Sequence, residues 1–230
     1  MDGKTHPCTS IVVPVWNKFE ITNRFLTELF PLLKDGRDEV IVVDNGSTDL
    51  TPRILKWWKT KMGNQLKVIR NATNLGFGPA VNIGAAQATG AKLIIMNNDV
   101  GIFGNFIIRT LEHLDNDGLS IVVGRKVNWD GGWNRFGDQL IEYGEGWYLG
   151  MVRNVWEDLE GFDEQFVPCD YEDVDFSYRA THAGFELVDL SLPIRHLGGT
   201  SGNQIGSRET ITRQNREKFA VKWGLVNTPC

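Results

Sequence analysis

The chain has 230 residues, of which 41% are hydrophobic, 10% aromatic and 23% charged, with a formal net charge of −5. That length and composition belong to a globular protein whose core needs no cross-links, and they exclude disordered, collagenous and fibrous classes. The negative balance excludes a chain that binds nucleic acid by its overall charge. The three cysteines, Cys8, Cys169 and Cys230, are too scattered for a disulfide framework or a zinc site, and their odd count suits a reducing compartment. The opening MDGKTHPCTS has no apolar signal core, and apolar runs such as Leu93–Met96 are too short to span a bilayer. A soluble, cytoplasmic protein is expected.

Four short apolar runs predict strands buried on both faces: Ser10–Val15, Glu39–Asp44, Lys67–Arg70 and Lys92–Met96. Helical spacing separates them. Ile21, Phe25 and Leu29 mark a first helix, which Pro31 should end or kink. A second helix starts near Thr51 with Pro52 in its first turn, a favoured position. A third runs from about Pro79 to Ala88 and stops at Gly90. The alternation predicts an α/β fold with a mostly parallel sheet and helices on its faces. Beyond about residue 115 the pattern loosens. Ser120–Val123 is one more strand, and residues 128–147 are rich in Gly and Trp. One helix follows Asp173, and another covers about Glu209–Trp223. Leu197–Ser207, with four glycines, reads as a mobile loop. No repeat or linker divides the chain, so one domain is expected, with a nucleotide-binding half (about 8–115) and a second half (about 116–230).

In an open parallel sheet, ligands bind beyond the carboxyl ends of the strands. Four polar loops converge there: Pro14-Val15-Trp16-Asn17, Asp44–Asp49, Asn71–Gly78 and Asn97-Asn98-Asp99. Asp44 either accepts from a ring N–H or hydroxyl, or belongs to an Asx turn and helix cap. Asn97-Asn98-Asp99 suits either a hard divalent cation or a plain turn. Glu172 and Asp173 either complement a helix dipole or, as neighbouring carboxylates in a cleft, raise a pKa to make a general base. His196 is either a structural hydrogen-bonding residue or a ligand. Trp16, Trp129, Trp133, Trp147 and Trp156 fall in or near predicted loops, where they either stack on bases and sugars or pack.

Taken in order, SIVVPVWN (10–17), VIVVDNGSTD (40–49), NLGFGPAVNIGAAQATG (74–90), LIIMNND (93–99), EGFDEQF (160–166), YEDVDFSYRATHAGFELV (171–188), RHLGGTS (195–201) and RQNREKFAVKWG (213–224) resemble the inverting glycosyltransferases of family 2, which have the GT-A fold. The likeness runs from residue 10 to about 224 and is greatest to small members acting on saccharides or cell-envelope acceptors, rhamnosyltransferase-like ones included. It implies that Pro14, Val15, Trp16, Asn17, Asp44 and Asn45 hold the base and ribose of a nucleoside-diphosphate sugar. Asn74 and Gly76 to Asn82 would line the floor below the diphosphate. Asn97-Asn98-Asp99 stands in the place of the family's Asp-X-Asp motif, with Asn97 replacing the first Asp. Asp99 and His196 would then hold Mn2+ or Mg2+, weakly. Asp173 of the Glu172-Asp173 pair would be the base for a single inverting displacement. Trp147 and Tyr148 stand before the acceptor-side wall and are expected to contact a sugar. Arg208, Arg213 and Arg216 either reach the diphosphate or lie on a solvated helix face.

A UDP-hexose is the first expectation for the donor and dTDP-rhamnose the second. The acceptor is a saccharide, glycolipid or protein-borne hydroxyl, reached alone or by docking, since the sequence ends soon after Lys222-Trp223-Gly224. Two other readings stay open. One is a non-catalytic sugar-nucleotide or carbohydrate-binding module. The other is a sugar-1-phosphate nucleotidyltransferase, against which PVWNKFE stands where a glycine-rich basic loop would follow the first strand.

Overall fold

The runs at Ser10–Val15, Glu39–Asp44 and Lys92–Met96 become strands without a solvent face, whereas Lys67–Arg70, expected to be buried on both faces, is the sheet's edge and leaves Val68 39% exposed. A computed structural model of the chain describes residues 8–34, 36–198 and 208–225. The first half runs β1 (Thr9–Val15), α1 (Phe19–Leu29), β2 (Asp38–Asp44), α2 (Thr51–Met62), β3 (Leu66–Arg70), α3 (Phe77–Ala85), β4 (Lys92–Met96), β5 (Val100–Ile102) and α4 (Phe106–Asn116). The second runs β6 (Ser120–Val123), β7 (Lys126–Val127), β8 (Arg135–Phe136), β9 (Gln139–Leu140), β10 (Tyr143–Gly144), β11 (Tyr148–Val152), α5 (Arg153–Asp158), α6 (Glu172–His182), β12 (Glu186–Asp189), β13 (Ile194–His196) and α7 (Arg208–Lys222).

Seven strands form the main sheet in the order β12-β6-β11-β4-β1-β2-β3. Strands β1 to β4 are parallel, and β11 inserts antiparallel between β4 and β6. Side-chain alternation explains why both faces are apolar. Ile11, Val13 and Val15 join Phe25, Leu26 and Leu55 of α1 and α2, whereas Val12 joins Val81 of α3 and Phe176 of α6. The register sets Val15 opposite Asp44 and Asp44 opposite Arg70, so these strands end in one row. That row brings the polar loops to one edge.

Details differ from the sequence expectations for local reasons. Pro31 does end α1, and the chain continues as a 3-10 turn over Phe30–Leu32. Helix α3 starts at Phe77, two residues before Pro79, because Gly76 adopts φ 97° and lets the chain turn into it. Helix α4, which the loosening pattern hid, is capped by Asn105, whose side chain accepts from the Ile108 N–H. Trp156 is not in a loop. It lies in α5 and packs against Phe162 and Phe176. Of the loop expected at Leu197–Ser207, residues 199–207 lie outside the described residues.

Helix α7 is tied to α6 through a buried carboxylate. Asp175 accepts from Arg179 Nε (2.8 Å), Lys222 Nζ (2.6 Å) and Trp223 Nε1 (2.9 Å). A third apolar cluster, with Phe136, Ile141, Phe166, Tyr171, Val174 and Phe219, joins α7 to the start of α6 and the β8–β9 hairpin. No described helix is long and apolar enough to cross a membrane.

Candidate active site

A cavity of about 480 Å³ opens at the strand-end edge. One wall is Pro14, Val15 and Trp16, with Asn45, Asn74, Gly76 and Phe77 beside them and Asn97, Asn98 and Asp99 beyond. The facing wall is Glu145, Gly146 and Trp147, the segment 168–174, and Trp133, Asn134 and Tyr143. His196, Arg208 and Thr212 complete it. Glu172, Asp173, Asp99 and His196, which lie far apart in the sequence, thus share one space.

The floor is built by amide side chains. Asn45 Nδ2 donates to Asn74 Oδ1 (2.7 Å) and to the Gly76 carbonyl (3.0 Å), while its Oδ1 accepts from Asn71 Nδ2 (3.0 Å) and the Leu75 N–H (3.1 Å). Gly76 also permits a close approach, since a Cβ there would sit 2.9 Å from the Pro168 carbonyl oxygen. The next residue uses that approach: the Phe77 N–H donates to the same oxygen at 2.8 Å.

Several expected contacts fall elsewhere. Asp44 stands behind the wall, with Ser47 N–H donating to Oδ1 (2.9 Å) and Arg70 Nη1 to Oδ2. The turn chemistry of DNGSTD is what its carboxylate serves. Asn17 clips that turn to the end of β1, accepting from the Thr48 N–H at 2.8 Å. Asn82 brackets a distant segment, with Nδ2 donating to the Phe162 carbonyl (2.8 Å) and Oδ1 accepting from the Phe162 N–H (3.0 Å). Tyr148 is fully buried, and its hydroxyl pairs with Thr110 Oγ1 at 2.6 Å. Alternation along β11 sends Tyr148 into the layer under α4, away from the cavity that Trp147 lines.

Trp147 lines the cavity and also packs on a predicted ligand. Its indole stacks on the His196 ring, with centroids 5.3 Å apart and planes 2° from parallel. Nε1 donates to Glu145 Oε2 (2.8 Å), and Gly124 leaves room for the ring, since a Cβ there would lie 2.3 Å from it.

Strand pairing explains how His196 reaches Asp99. Strand β13 pairs antiparallel with β5, with His196 opposite Val100, and the Leu197 N–H donates to the Asp99 carbonyl (2.9 Å). His196 Nε2 stands 3.1 Å from Asp99 Oδ1. Two neighbouring ligands of an octahedral ion with bonds of about 2.1 Å are about 3 Å apart, so the pair fits such an ion. Asn97, which lines the same cavity, has a buried Oδ1 with no hydrogen-bond partner among the described residues. Among those residues no group of three His, Cys, Asp or Glu side chains is assembled to hold a metal. An ion here would draw its other ligands from a bound diphosphate and water.

Glu172 and Asp173 open α6 after two non-glycine residues at positive φ, Asp170 (70°) and Tyr171 (76°). Such backbone costs on the order of 1–3 kcal/mol per residue and persists only when its surroundings impose it. Helix α7 imposes it here. Buried Asn215 donates from Nδ2 to the carbonyls of Cys169 (2.8 Å) and Asp170 (3.0 Å). Arg208 and Thr212 donate to the Asp170 carboxylate.

The two carboxyl groups are unlike. Burial pushes Asp173 up to about 6; the Gly146 N–H on Oδ2 (2.9 Å) works against that, and the charge of Asp170 adds to it. Burial, with the charge of Asp173, pushes Glu172 well above the ordinary carboxylate range, and its Oε2 has no partner among the described residues. Of the two, Asp173 is held less far above the ordinary carboxylate range.

Sequence reasoning missed Asn134, Tyr143, Glu145 and Gly146, which come from the same aperiodic Gly- and Trp-rich stretch as Trp133. The glycine-flanked Glu145, just ahead of an apolar strand, was the one signal available there.

The family model described as glycosyl transferase family 2 matches residues 10–169. The chain belongs to this family. It is 29% identical over 124 residues to the glycosyltransferase AglE of Haloferax volcanii, covering 52% of this chain and 40% of that protein. It is 28% identical over 124 residues to the glycosyltransferase GlyG of Streptococcus pneumoniae, covering 53% of this chain and 40% of that one. The matches thus span less than half the length of these relatives.

Among solved structures, the mannosyltransferase PcManGT of Pyrobaculum calidifontis, in complex with GDP-Man and Mn2+, superposes with a TM-score of 0.72 at 17% identity, covering 94% of this chain and 65% of that one. GalNAc-T7 with UDP, GalNAc and Mn2+ gives a TM-score of 0.75 at 17% identity, covering 95% and 48%. The fold of this chain is that of the GT-A glycosyltransferases. Asp173 and His196 lie beyond the residues matched by the family model.

Proposed function

We propose that this chain transfers a sugar from a nucleoside diphosphate to an acceptor hydroxyl with inversion, its two halves acting as one domain. One observation carries the reading: the Asp99–His196 pair and the half-buried Asp173 carboxylate line one cavity. Pro14, Val15 and Trp16 hold the base and ribose, and Asn45, Asn74 and Gly76 form the floor under the diphosphate. Asp99 and His196 would hold Mn2+ or Mg2+. The ion, when bound, neutralises charge developing on the departing diphosphate. Asp173 takes the proton of the acceptor hydroxyl as that oxygen attacks the anomeric carbon. Gly146 keeps the carboxylate aimed while burial keeps it basic. A UDP-hexose is the favoured donor, followed by dTDP-rhamnose.

A binding module would gain nothing from a buried, poised carboxylate beside an unpartnered one. A nucleotidyltransferase would need a glycine-rich basic loop after β1. Here Asn17 and Lys18 turn the chain at positive φ and lead straight into α1.

Asp99→Ala is expected to weaken Mn2+-dependent UDP binding at least about ten-fold, the scale of effect seen even for residues that only support a metal ligand. Calorimetry with Mn2+ and with EDTA measures it. An unchanged metal dependence in the variant would remove Asp99 as a ligand.

A further inference from the structure

The acceptor-side wall presents an aromatic ring in an acidic setting. Trp133 lines the cavity and is 41% exposed. The Arg125 guanidinium sits 5.0 Å over the nearby Trp129 ring, whereas among the described residues no ring or cation covers Trp133.

The loop bearing Trp133 is built to hold its place. Buried Asn134 donates from Nδ2 to the carbonyls of Trp129 (3.1 Å) and Ile141 (2.9 Å), and its Oδ1 accepts from the Gly131 N–H (2.9 Å). The Trp133 carbonyl accepts from Arg216 Nε (3.3 Å) and from the Tyr171 hydroxyl. Tyr171 immediately precedes Glu172 and Asp173, so the loop is fastened to the start of the helix that carries the base.

Carboxyl groups line the same cavity as this ring: Glu145, Asp170, Glu172 and Asp173. Arg125 pairs with Glu145 and Arg208 with Asp170, and burial favours the protonated form of Glu172. Among the described residues Asp173 is the carboxylate there with no cation on it; it disfavours an anionic group and accepts hydrogen bonds from hydroxyls. An exposed indole supplies a flat apolar face. An uncharged sugar ring, with C–H bonds on its face and hydroxyls at its edge, matches both.

We propose that Trp133 is the stacking platform of the acceptor subsite and that the acceptor presents an uncharged saccharide ring there, not a phosphorylated group. The proposal rests on the transferase reading. A ring hydroxyl gives its proton to Asp173. Its oxygen forms the bond to the anomeric carbon, and the bond from that carbon to the diphosphate oxygen breaks, with the electron pair leaving on the nucleotide.

Saturation-transfer NMR tests this with the protein, Mg2+ and saturating UDP. The probes are the methyl glycosides of glucose, galactose, N-acetylglucosamine and rhamnose, with glucose 1-phosphate as the charged counterpart. At least one methyl glycoside is expected to receive saturation alongside UDP. Its signal should be lost in Trp133→Ala and kept in Trp133→Phe, with the UDP signal unchanged in both variants. Glucose 1-phosphate should receive none.

The proposal is overturned if UDP saturates and no glycoside does, if the glycoside signal survives in Trp133→Ala, or if glucose 1-phosphate saturates as strongly as methyl glucoside. Absence of a signal from UDP, and from dTDP and GDP put in its place, on the unaltered protein would instead overturn the nucleotide-sugar reading beneath it, and the proposal with it.

Discussion

Asp173→Asn is expected to lower transfer by roughly 10²- to 10⁴-fold, the usual contribution of a positioned general base. The amide has the size of the carboxyl and keeps an acceptor oxygen for one of the Gly146 and Val174 N–H groups, which reach the two carboxylate oxygens at 2.9 and 2.8 Å. Nucleotide affinity should therefore stay within a few-fold. A base works only when ionised, and burial has pushed Asp173 up to about 6. Activity should thus fall as pH drops through about 6, one decade per pH unit below it, and level off above.

The same shift acts on stability with the opposite sense. A carboxyl that binds its proton more tightly folded than unfolded stabilises the fold at low pH, and that contribution is lost as pH rises through the folded value. Between the ordinary carboxylate range and about 6, activity and this part of the stability run in opposite directions. Full turnover in Asp173→Asn would exclude Asp173 as the base.

Asp175→Ala is expected to cost about 3–5 kcal/mol of unfolding free energy, the penalty for stripping one partner from a buried charge pair. Asp175 is fully buried and meets two cations and an indole N–H. The loss should lie at the low end, because Lys222 keeps Asp163 and Arg179 keeps the Leu159 and Gly161 carbonyls. For a chain of this size that is a fall in melting temperature of about 6–20 °C. Activity should fall too, since α7 supplies Asn215, Arg208 and Thr212 to the strained turn before Glu172. Urea unfolding measures the first effect. A loss below about 1 kcal/mol would show that α7 is held by its other contacts and not by the Asp175 cluster.

What could be read in advance depended on whether a residue's role was set by chain pattern or by side-chain direction. Continuous apolar runs mean strands buried on both faces, so the parallel sheet and its polar strand ends were legible. Asp99, Asp173 and His196 were legible as candidates because their family motifs stand in order. The structure adds how β13 meets β5 to bring Asp99 and His196 together. Direction was not legible. Trp147 and Tyr148 are adjacent, yet one lines the cavity and the other fills the core. Asp44, Asn17 and Asn82 carry side chains suited to a ligand, but each is drawn to nearby backbone groups that need a partner. Glu145, Gly146 and Trp133 come from a segment without periodicity, and only its folding against α6 and α7 gives them a place.

The most direct test of the account is release of nucleoside diphosphate from a panel of UDP-glucose, UDP-galactose, UDP-GlcNAc, dTDP-rhamnose and GDP-mannose, each with Mn2+ or with EDTA. The account predicts Mn2+-dependent release from a UDP-hexose, or failing that from dTDP-rhamnose, abolished by EDTA and greatly reduced in Asp99→Ala. No release from any donor, together with no nucleotide binding by calorimetry, would contradict it.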